Sequence, residues 1–158
     1  MENLLQSLLN RSVNKMGPVN PIVKESALEV VRRAYDEGIC MQIVSGFRTK
    51  EQQDALYRQG RTAPGYIMTN VKGGQSYHNY GLAVDYALVS PGGREVSWTV
   101  NREWLRVAEI AKSIGFTWGG DRPKFKDYGH LEMNGGLSIA ELQKGKLPSL
   151  ISIHTKES

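Results

Sequence analysis

The strongest constraint on this chain lies in the segment Ser76–Asp85, which carries a histidine and an aspartate on either side of a glycine. Residues 82–88 alternate in the manner of a β-strand, and Asp85 shares one strand face with two alanines. The small neighbours leave open space in front of its carboxylate. Gly81 allows a sharp turn into the strand, so that His78 can fold back beside Asp85. An imidazole nitrogen and a carboxylate oxygen placed together favour zinc.

A third ligand is required, and the chain contains three histidines in all. His130 lies in a second short strand-like run, whereas His154 lies among polar residues near the end. Each of these residues taken singly is more often a surface or core side chain, but the combination predicts a site made by His78, Asp85 and His130. Three protein ligands leave a fourth position open, as in catalytic zinc sites. Asp127, three residues before His130, is then placed to act as general base.

Composition excludes several other kinds of protein. A chain of 158 residues with 40% hydrophobic and 23% charged residues is typical of one soluble globular domain. The single cysteine, Cys40, allows no internal disulfide and no cysteine-based zinc site. The net charge of +4 is compatible with binding to an anionic polymer. The sequence has no run of basic residues of the kind that would indicate nucleic-acid binding. We therefore expect no nucleic-acid partner, and a monomer.

The N-terminal sequence bears on localisation. Residues 1–10 have no basic start followed by a long apolar core, so we expect no secretory signal peptide. No apolar run approaches the roughly 20 residues of a membrane span, so we expect no membrane insertion. These features predict that the protein is made in the cytoplasm and acts outside it only after it is released from the cell.

Capping residues and apolar stripes predict the helices, and short apolar runs predict the strands. The predicted helices cover residues 3–16, the span from Asn20 to Gly38, 49–59, 101–115 and 137–145. The predicted strands are Cys40–Val44, Leu82–Leu88 and 127–133. From Lys146 onward the sequence predicts a tail.

Two connections carry further candidates. Arg48 lies where the first strand meets a helix opened by a Thr49–Gln52 capping box, a position at which loops often carry function. Residues 61–75 form a long connection that leads to the central segment. Trp118 is a candidate for lining a cleft, although a core position is the commoner one for tryptophan.

Several linked motifs resemble one family of peptidases. The two central patterns are Ser-x-His-x-x-Gly-x-Ala-x-Asp at 76–85 and Asp-x-x-His-x-Glu at 127–132. They resemble the D-alanyl-D-alanine carboxypeptidase (VanY-like) zinc peptidases, whose fold is shared with the hedgehog signalling domain. The L-alanyl-D-glutamate peptidase branch, found in phage endolysins and bacterial wall hydrolases, is more similar still. The segments that resemble this branch are 45–49, 51–53, 55–57, 59–62, 73–76 and 118–121.

The resemblance covers about residues 20–134 and implies both a fold and an activity. It implies an α+β fold in which helices flank a small antiparallel sheet that carries the zinc site. Residues 1–136 would be the catalytic domain, and 137–158 a short helix and tail. The implied activity is hydrolysis of the L-Ala–D-Glu bond of bacterial peptidoglycan, with one zinc ion per chain.

The resemblance also implies roles for particular residues. It implies that His78, Asp85 and His130 hold zinc, that Asp127 is the base and that Arg48 steadies the substrate or the developing oxyanion. Three further residues are expected near the substrate or behind the ligands. Glu132, two residues after His130, could orient a ligand. The other two are Ser76 and Trp118.

The chain departs from the branch at two positions, and other functions stay open. Gly129 stands where the branch usually has proline, which predicts a looser loop around Asp127. Arg122 stands where it often has tryptophan, which predicts an altered wall of the cleft. One alternative is a D-Ala-D-Ala carboxypeptidase or dipeptidase, because the metal chemistry would be the same. Another is a non-catalytic zinc-bearing wall-binding module, against which the presence of Asp127 and Arg48 argues.

Overall fold

The structure is a computed structural model that describes residues 3–156. It confirms an α+β fold, with a small antiparallel sheet flanked by helices. Single 3₁₀ turns cover Tyr77–Tyr80 and Gly119–Asp121. The helices are α1 Leu4–Met16, α2 Pro21–Asp36, α3 Lys50–Arg58, α4 Arg102–Ile114, α5 Ile139–Gln143 and α6 Ile153–Lys156. The strands are β1 Met41–Ser45, β2 Ala83–Val89, β3 Val96–Ser97, β4 Thr117–Trp118 and β5 His130–Glu132.

The helix starts follow the capping residues of the sequence. The side chains of Asn3, Asn20 and Asn101 each accept a hydrogen bond from a backbone N–H in the first turn of α1, α2 and α4. The capping box of Thr49 and Gln52 opens α3, as predicted. The N-terminal ends of the four longest helices are therefore determined locally.

Strand β2 is the centre of the sheet. It pairs antiparallel with β1 along one edge, and with β5 and then β3 along the other, while β4 pairs with the outer edge of β5. Asp85 lies directly opposite His130 in the β2–β5 pair and opposite Ser45 in the β1–β2 pair. The register alone thus brings an acidic, an imidazole and a hydroxyl side chain to one place on the sheet.

The core lies between the sheet and helices α1, α2 and α4. Helix α1 packs on β1 and α2, and α2 packs on α4. Trp104 of α4 contacts Tyr86 of β2 with ring centroids 4.8 Å apart, and its backbone carbonyl accepts a hydrogen bond from the Tyr86 hydroxyl at 3.0 Å. Both side chains are fully buried. This packing holds β2 in place behind the site.

Several details differ from the sequence predictions. Strand β2 begins and ends one residue later than predicted, β5 is shorter than the predicted strand 127–133, and β3 and β4 were not predicted. Strand β1 is shifted one residue towards the C-terminus, because Cys40 precedes it and Ser45 extends it to the register of Asp85. The segment after Lys146 is not simply a tail. It ends in α6, whose Ile153 is buried, and the Ser152 hydroxyl hydrogen-bonds to Glu25 of α2 at 3.0 Å. Among residues 3–156, no helix combines the length and the apolarity that crossing a membrane would require.

Candidate metal centre

The structure brings His78, Asp85 and His130 together, as the sequence predicted. One potential ligand atom from each lies within 4.8 Å of the others. The Asp85 carboxylate is the middle member: its Oδ2 lies 3.3 Å from His78 Nε2 and its Oδ1 lies 3.5 Å from His130 Nδ1. Both histidines are buried. The three side chains converge from β2, β5 and the turn that precedes β2.

The position of His78 depends on a short turn built from its neighbours. Ser76 and Asn79 form a reciprocal cap around the 3₁₀ turn, and Gly81 ends it in the left-handed conformation with φ of 69°. The carbonyl oxygen of Gly46 lies 2.7 Å from His78 Nδ1. If Nδ1 carries the proton and donates it there, Nε2 is left as a lone-pair donor directed at Asp85.

The ring of His130 is oriented the opposite way from that of His78, with Nδ1 rather than Nε2 towards Asp85. Its Nε2 lies 2.9 Å from Glu132 Oε1, so Nε2–H donates to a buried carboxylate and Nδ1 faces Asp85. Asn134 Nδ2 donates to the other oxygen of Glu132 at 3.1 Å. Carboxylates commonly hold a metal-binding histidine in this way, from the side away from the ion. Glu132 could orient His130 through this contact, and that role stays a prediction.

The donor set fits a metal ion by two observations. Asp85 Oδ1 is buried, and within residues 3–156 it accepts no hydrogen bond, which is costly for a carboxylate oxygen unless a cation is bound. Two imidazoles and one carboxylate are also the nitrogen and oxygen ligands that zinc takes in catalytic sites.

The electrostatics of the cluster favour a positive charge at the same place. Burial opposes ionisation of Asp85, but the two neighbouring imidazoles outweigh it and hold the pKa of Asp85 well below its usual value. Burial would likewise lower the pKa of His130, yet Asp85 and Glu132 raise it to about 9. Two carboxylates around one imidazole therefore attract a cation, whether a proton or a metal.

Arg48 lies beside the cluster and contacts one of its members. Its Nη2 donates to Asp85 Oδ2 at 3.1 Å, and Nη1 donates to Gln53 Oε1 at 3.3 Å. Ser45 Oγ donates to the same Asp85 oxygen at 2.5 Å. The backbone N–H of Arg48 also donates to the His78 carbonyl at 3.1 Å. Arg48 is thus tied to two of the three predicted ligands.

Two of these residues were not singled out from the sequence. Ser45 and Gln53 belong to segments that carried the family resemblance, but nothing in their spacing indicated a role. Gln53 is buried, and its amide donates to the Val71 carbonyl at 2.8 Å. It therefore ties Arg48 to the long 61–75 connection, a contact that only the folded chain makes.

Asp127 is exposed on a loop, residues 119–128, that forms one wall of a cleft above the metal cluster. The cleft has a volume of about 920 Å³. Arg48, Asp127 and the three predicted ligands all line it, and so do Ser76 and Glu132. Trp118 lines a smaller neighbouring cavity of about 240 Å³ instead. The structure therefore places every site residue predicted from the sequence except Trp118 in the same cleft, and their roles stay predictions.

The loop around Asp127 is held by its backbone. The carbonyl oxygen of Tyr128 accepts hydrogen bonds from the indoles of Trp104 and Trp118, each at 2.7 Å. The backbone of Asp127 lies so close to Gly119 that a Cβ there would come within 2.3 Å of the Asp127 carbonyl oxygen. The Gly129 carbonyl accepts a hydrogen bond from the Tyr86 N–H at 3.0 Å. These contacts anchor both ends of the loop, and they therefore oppose the looseness predicted from Gly129.

Comparison with known proteins gives the family of the chain. A family profile described as D-alanyl-D-alanine carboxypeptidase matches residues 69–133. The peptidoglycan L-alanyl-D-glutamate endopeptidase CwlK of Bacillus subtilis is 48% identical over 123 residues, which are 73% of each chain. The L-alanyl-D-glutamate peptidase of Listeria phage A118 is 31% identical over 79% of this chain but only 41% of its own length. The fold resembles that of the Serratia marcescens L-Ala D-Glu endopeptidase ChiX, with a TM-score of 0.60, 22% identity and coverage of 78% of this chain and 86% of ChiX.

Proposed function

Since this chain belongs to the D-alanyl-D-alanine carboxypeptidase family of metallopeptidases, we propose that it hydrolyses the L-alanyl–D-glutamate bond of bacterial peptidoglycan. One zinc ion per chain would be held by His78 Nε2, a carboxylate oxygen of Asp85 and His130 Nδ1. The relatives named for this cleavage support the bond, and the chemistry of the donor set supports the metal.

One observation carries the proposal more than any other. The buried Asp85 Oδ1 lacks a hydrogen bond within residues 3–156, and the Asp85 carboxylate lies between the imidazoles of His78 and His130 at the floor of an open cleft. A structural zinc site would be closed by a fourth protein ligand. The three candidate ligands here line a cleft of about 920 Å³, which is large enough for a peptide.

The side chains of the cleft have separate tasks in the proposed reaction. Zinc, when bound, supplies Lewis-acid chemistry that polarises the scissile carbonyl and makes water more acidic. The carboxylate of Asp127 takes the proton of the attacking water and passes it to the leaving amine nitrogen. Arg48, held by Gln53, adds positive charge where the carbonyl oxygen becomes negative. Glu132 keeps His130 in the tautomer that leaves Nδ1 free of its proton.

The location of action follows from the substrate. Peptidoglycan lies outside the cytoplasmic membrane, so the enzyme would reach it after release from the cell that makes it, as phage lysis enzymes do. The open cleft and the net charge of +4 suit an anionic wall polymer. We further propose that the enzyme acts as a monomer, without nucleic acid and without insertion into a membrane.

Digestion of purified peptidoglycan by the zinc-loaded protein tests the activity. New D-Glu amino termini, identified by mass spectrometry, are the expected product. The Asp127→Ala variant serves as the matched control, because it removes the proposed base and leaves the metal cluster unchanged. Release of D-Ala alone would contradict the proposal and favour the carboxypeptidase alternative.

A further inference from the structure

The 119–128 loop carries a cation that the proposed reaction does not use. Arg122 lines both the large cleft and the smaller cavity beside it, and its side chain is 40% exposed. Its one side-chain hydrogen bond or ion pair within residues 3–156 is to Glu132 Oε1 at 3.4 Å. That oxygen already lies 2.9 Å from His130 Nε2. A guanidinium has five N–H donors, so most of those of Arg122 have no acceptor among residues 3–156.

Arg122 differs in this respect from Arg48. The Arg48 guanidinium contacts Asp85, Gln53 and Ser45, and its side chain is 23% exposed. Arg48 is held by residues at the metal cluster and already has a task in the proposed reaction, whereas Arg122 is available to another group of the substrate. The wall around Arg122 is also basic, since Lys124 and Lys126 line the cleft beside it. Of the two acidic residues of the 119–128 loop, Asp127 lines the cleft, whereas Asp121 lines the smaller cavity and forms an ion pair with Lys112.

The position of Arg122 relative to the metal cluster is defined by a chain of contacts. Asp85 faces Nδ1 of His130, Glu132 faces Nε2 of the same ring, and Arg122 contacts Glu132. One imidazole and one carboxylate therefore separate the guanidinium from the place where the scissile carbonyl would lie. A group held by Arg122 would belong to a part of the substrate near the scissile bond.

The substrate has a suitable group there. D-Glutamate has two carboxyl groups, and a peptide that continues through one of them leaves the other free. Where the chain continues through the side-chain carboxyl, the free carboxylate lies on the α-carbon, three bonds from the scissile carbonyl. A terminal D-alanine would present an α-carboxylate at the same place. Arginine binds carboxylates through paired N–H donors.

We propose that Arg122, with Lys124 beside it, forms a subsite for the free α-carboxylate of the residue that follows the scissile bond. This inference rests on the proposed function, in which that residue is D-glutamate. The subsite makes the enzyme selective for stem peptides whose D-glutamate carboxyl is ionised over those in which it is amidated. The amide is neutral, and in place of one carboxylate oxygen it presents an NH₂ group to the Arg122 donors.

Two matched peptides test the subsite. Both contain the L-Ala–D-Glu bond and continue through the side-chain carboxyl, but one has a free α-carboxylate and the other an α-carboxamide. We expect the zinc-loaded wild type to cleave the carboxylate peptide with at least about tenfold higher kcat/KM, the scale of one hydrogen bond to a charged group. Arg122→Gln should lose most of this preference, and Arg122→Lys should keep part of it.

Controls separate recognition from a structural effect. Arg94→Gln removes the same charge from an exposed turn after β2 and should keep the wild-type preference. Zinc content should be unchanged in Arg122→Gln. Calorimetry with the Asp127→Ala variant should show tighter binding of the carboxylate peptide, and Arg122→Gln in that background should remove the difference.

The outcomes distinguish the subsite from the reaction. Equal cleavage of both peptides by the wild type would overturn the subsite and leave the proposed function intact. A loss in Arg122→Gln that is the same for both peptides would also overturn it, because Arg122 would then act only through Glu132. Cleavage of neither peptide by the zinc-loaded enzyme would overturn the proposed function and the subsite together. If a peptide ending in D-Ala–D-Ala is cleaved instead, with the same dependence on Arg122, the bound carboxylate is the chain terminus.

Discussion

The floor and one wall of the cleft are built differently. The floor holds His78, Asp85 and His130, all placed by strands or by a capped turn and each in contact with another polar group. The wall is the 119–128 loop, where Arg122 is half-buried and Asp127 is exposed. Floor residues are held by their side chains, whereas the wall is held mainly through its backbone.

The difference separates two requirements of a metal-dependent hydrolase. Ligands must keep fixed distances from one another, which rigid elements provide. A base must reach a water molecule and then a leaving group, so its carboxylate must not be held by a hydrogen bond or an ion pair to another protein group. The indole donors to Tyr128 and the close approach at Gly119 anchor the wall and leave the Asp127 carboxylate in the cleft. We therefore expect floor variants to change metal binding and wall variants to change turnover alone.

The largest effect should come from the floor. His78→Ala removes a ligand and leaves Asp85 beside a single imidazole, so the protein should lose its metal and nearly all hydrolysis. Metal analysis after gentle purification should give about one equivalent for the wild type and close to none for the variant. His154→Ala is the matched control, because His154 is exposed and far along the chain from the cluster. Full metal content in His78→Ala would show that the ligand set is wrong.

The wall should give the next largest effect. Asp127→Ala should keep the metal and lower kcat by about 10²–10⁴, the usual contribution of a general base. Metal analysis and steady-state kinetics on the same preparation separate the two properties. Asp36→Ala, an exposed aspartate at the end of α2, controls for loss of a charge. Near-normal turnover in Asp127→Ala would end its assignment as base.

A smaller effect is expected from a change at Glu132, which contacts the side of His130 that faces away from Asp85. Glu132→Gln keeps the shape of the side chain but weakens the hydrogen bond that holds His130, so zinc affinity should fall about 10–100-fold. Competition with a metal-binding indicator measures this affinity directly. Glu95→Gln, on an exposed turn, should leave it unchanged. An unchanged affinity in Glu132→Gln would mean that packing alone orients His130.

The smallest effect should come from the anchor of the wall. Trp118→Phe removes one of the two indole donors to the Tyr128 carbonyl and keeps an aromatic ring in place. We expect kcat to fall less than about tenfold, the scale of one neutral hydrogen bond, with zinc content unchanged. Trp98→Phe controls for the change of ring, because Trp98 is exposed. Loss of metal in Trp118→Phe would contradict the division between floor and wall.

Much of the fold could be predicted because its signals are local. Asn3, Asn20, Thr49 and Asn101 cap helices through side chains that bond within three residues, so the sequence specifies these starts without the rest of the molecule. The end of the chain was predicted less well. Helix α6 lies against α2 and buries Ile153, and a short apolar segment shows no periodicity that would indicate such packing.

The candidate site divides in the same way. The sequence by itself determined the three proposed ligands and Asp127, because few combinations of residue types and spacings suit a metal-dependent hydrolase. Only the tertiary structure decided that His78 presents Nε2 and His130 presents Nδ1, that Gln53 and Ser45 join Arg48 to Asp85, and that Arg122 faces the cleft. These relations join residues that are far apart along the chain, or they depend on side-chain orientation. Neither is set until the strands pair and the loops close over the sheet.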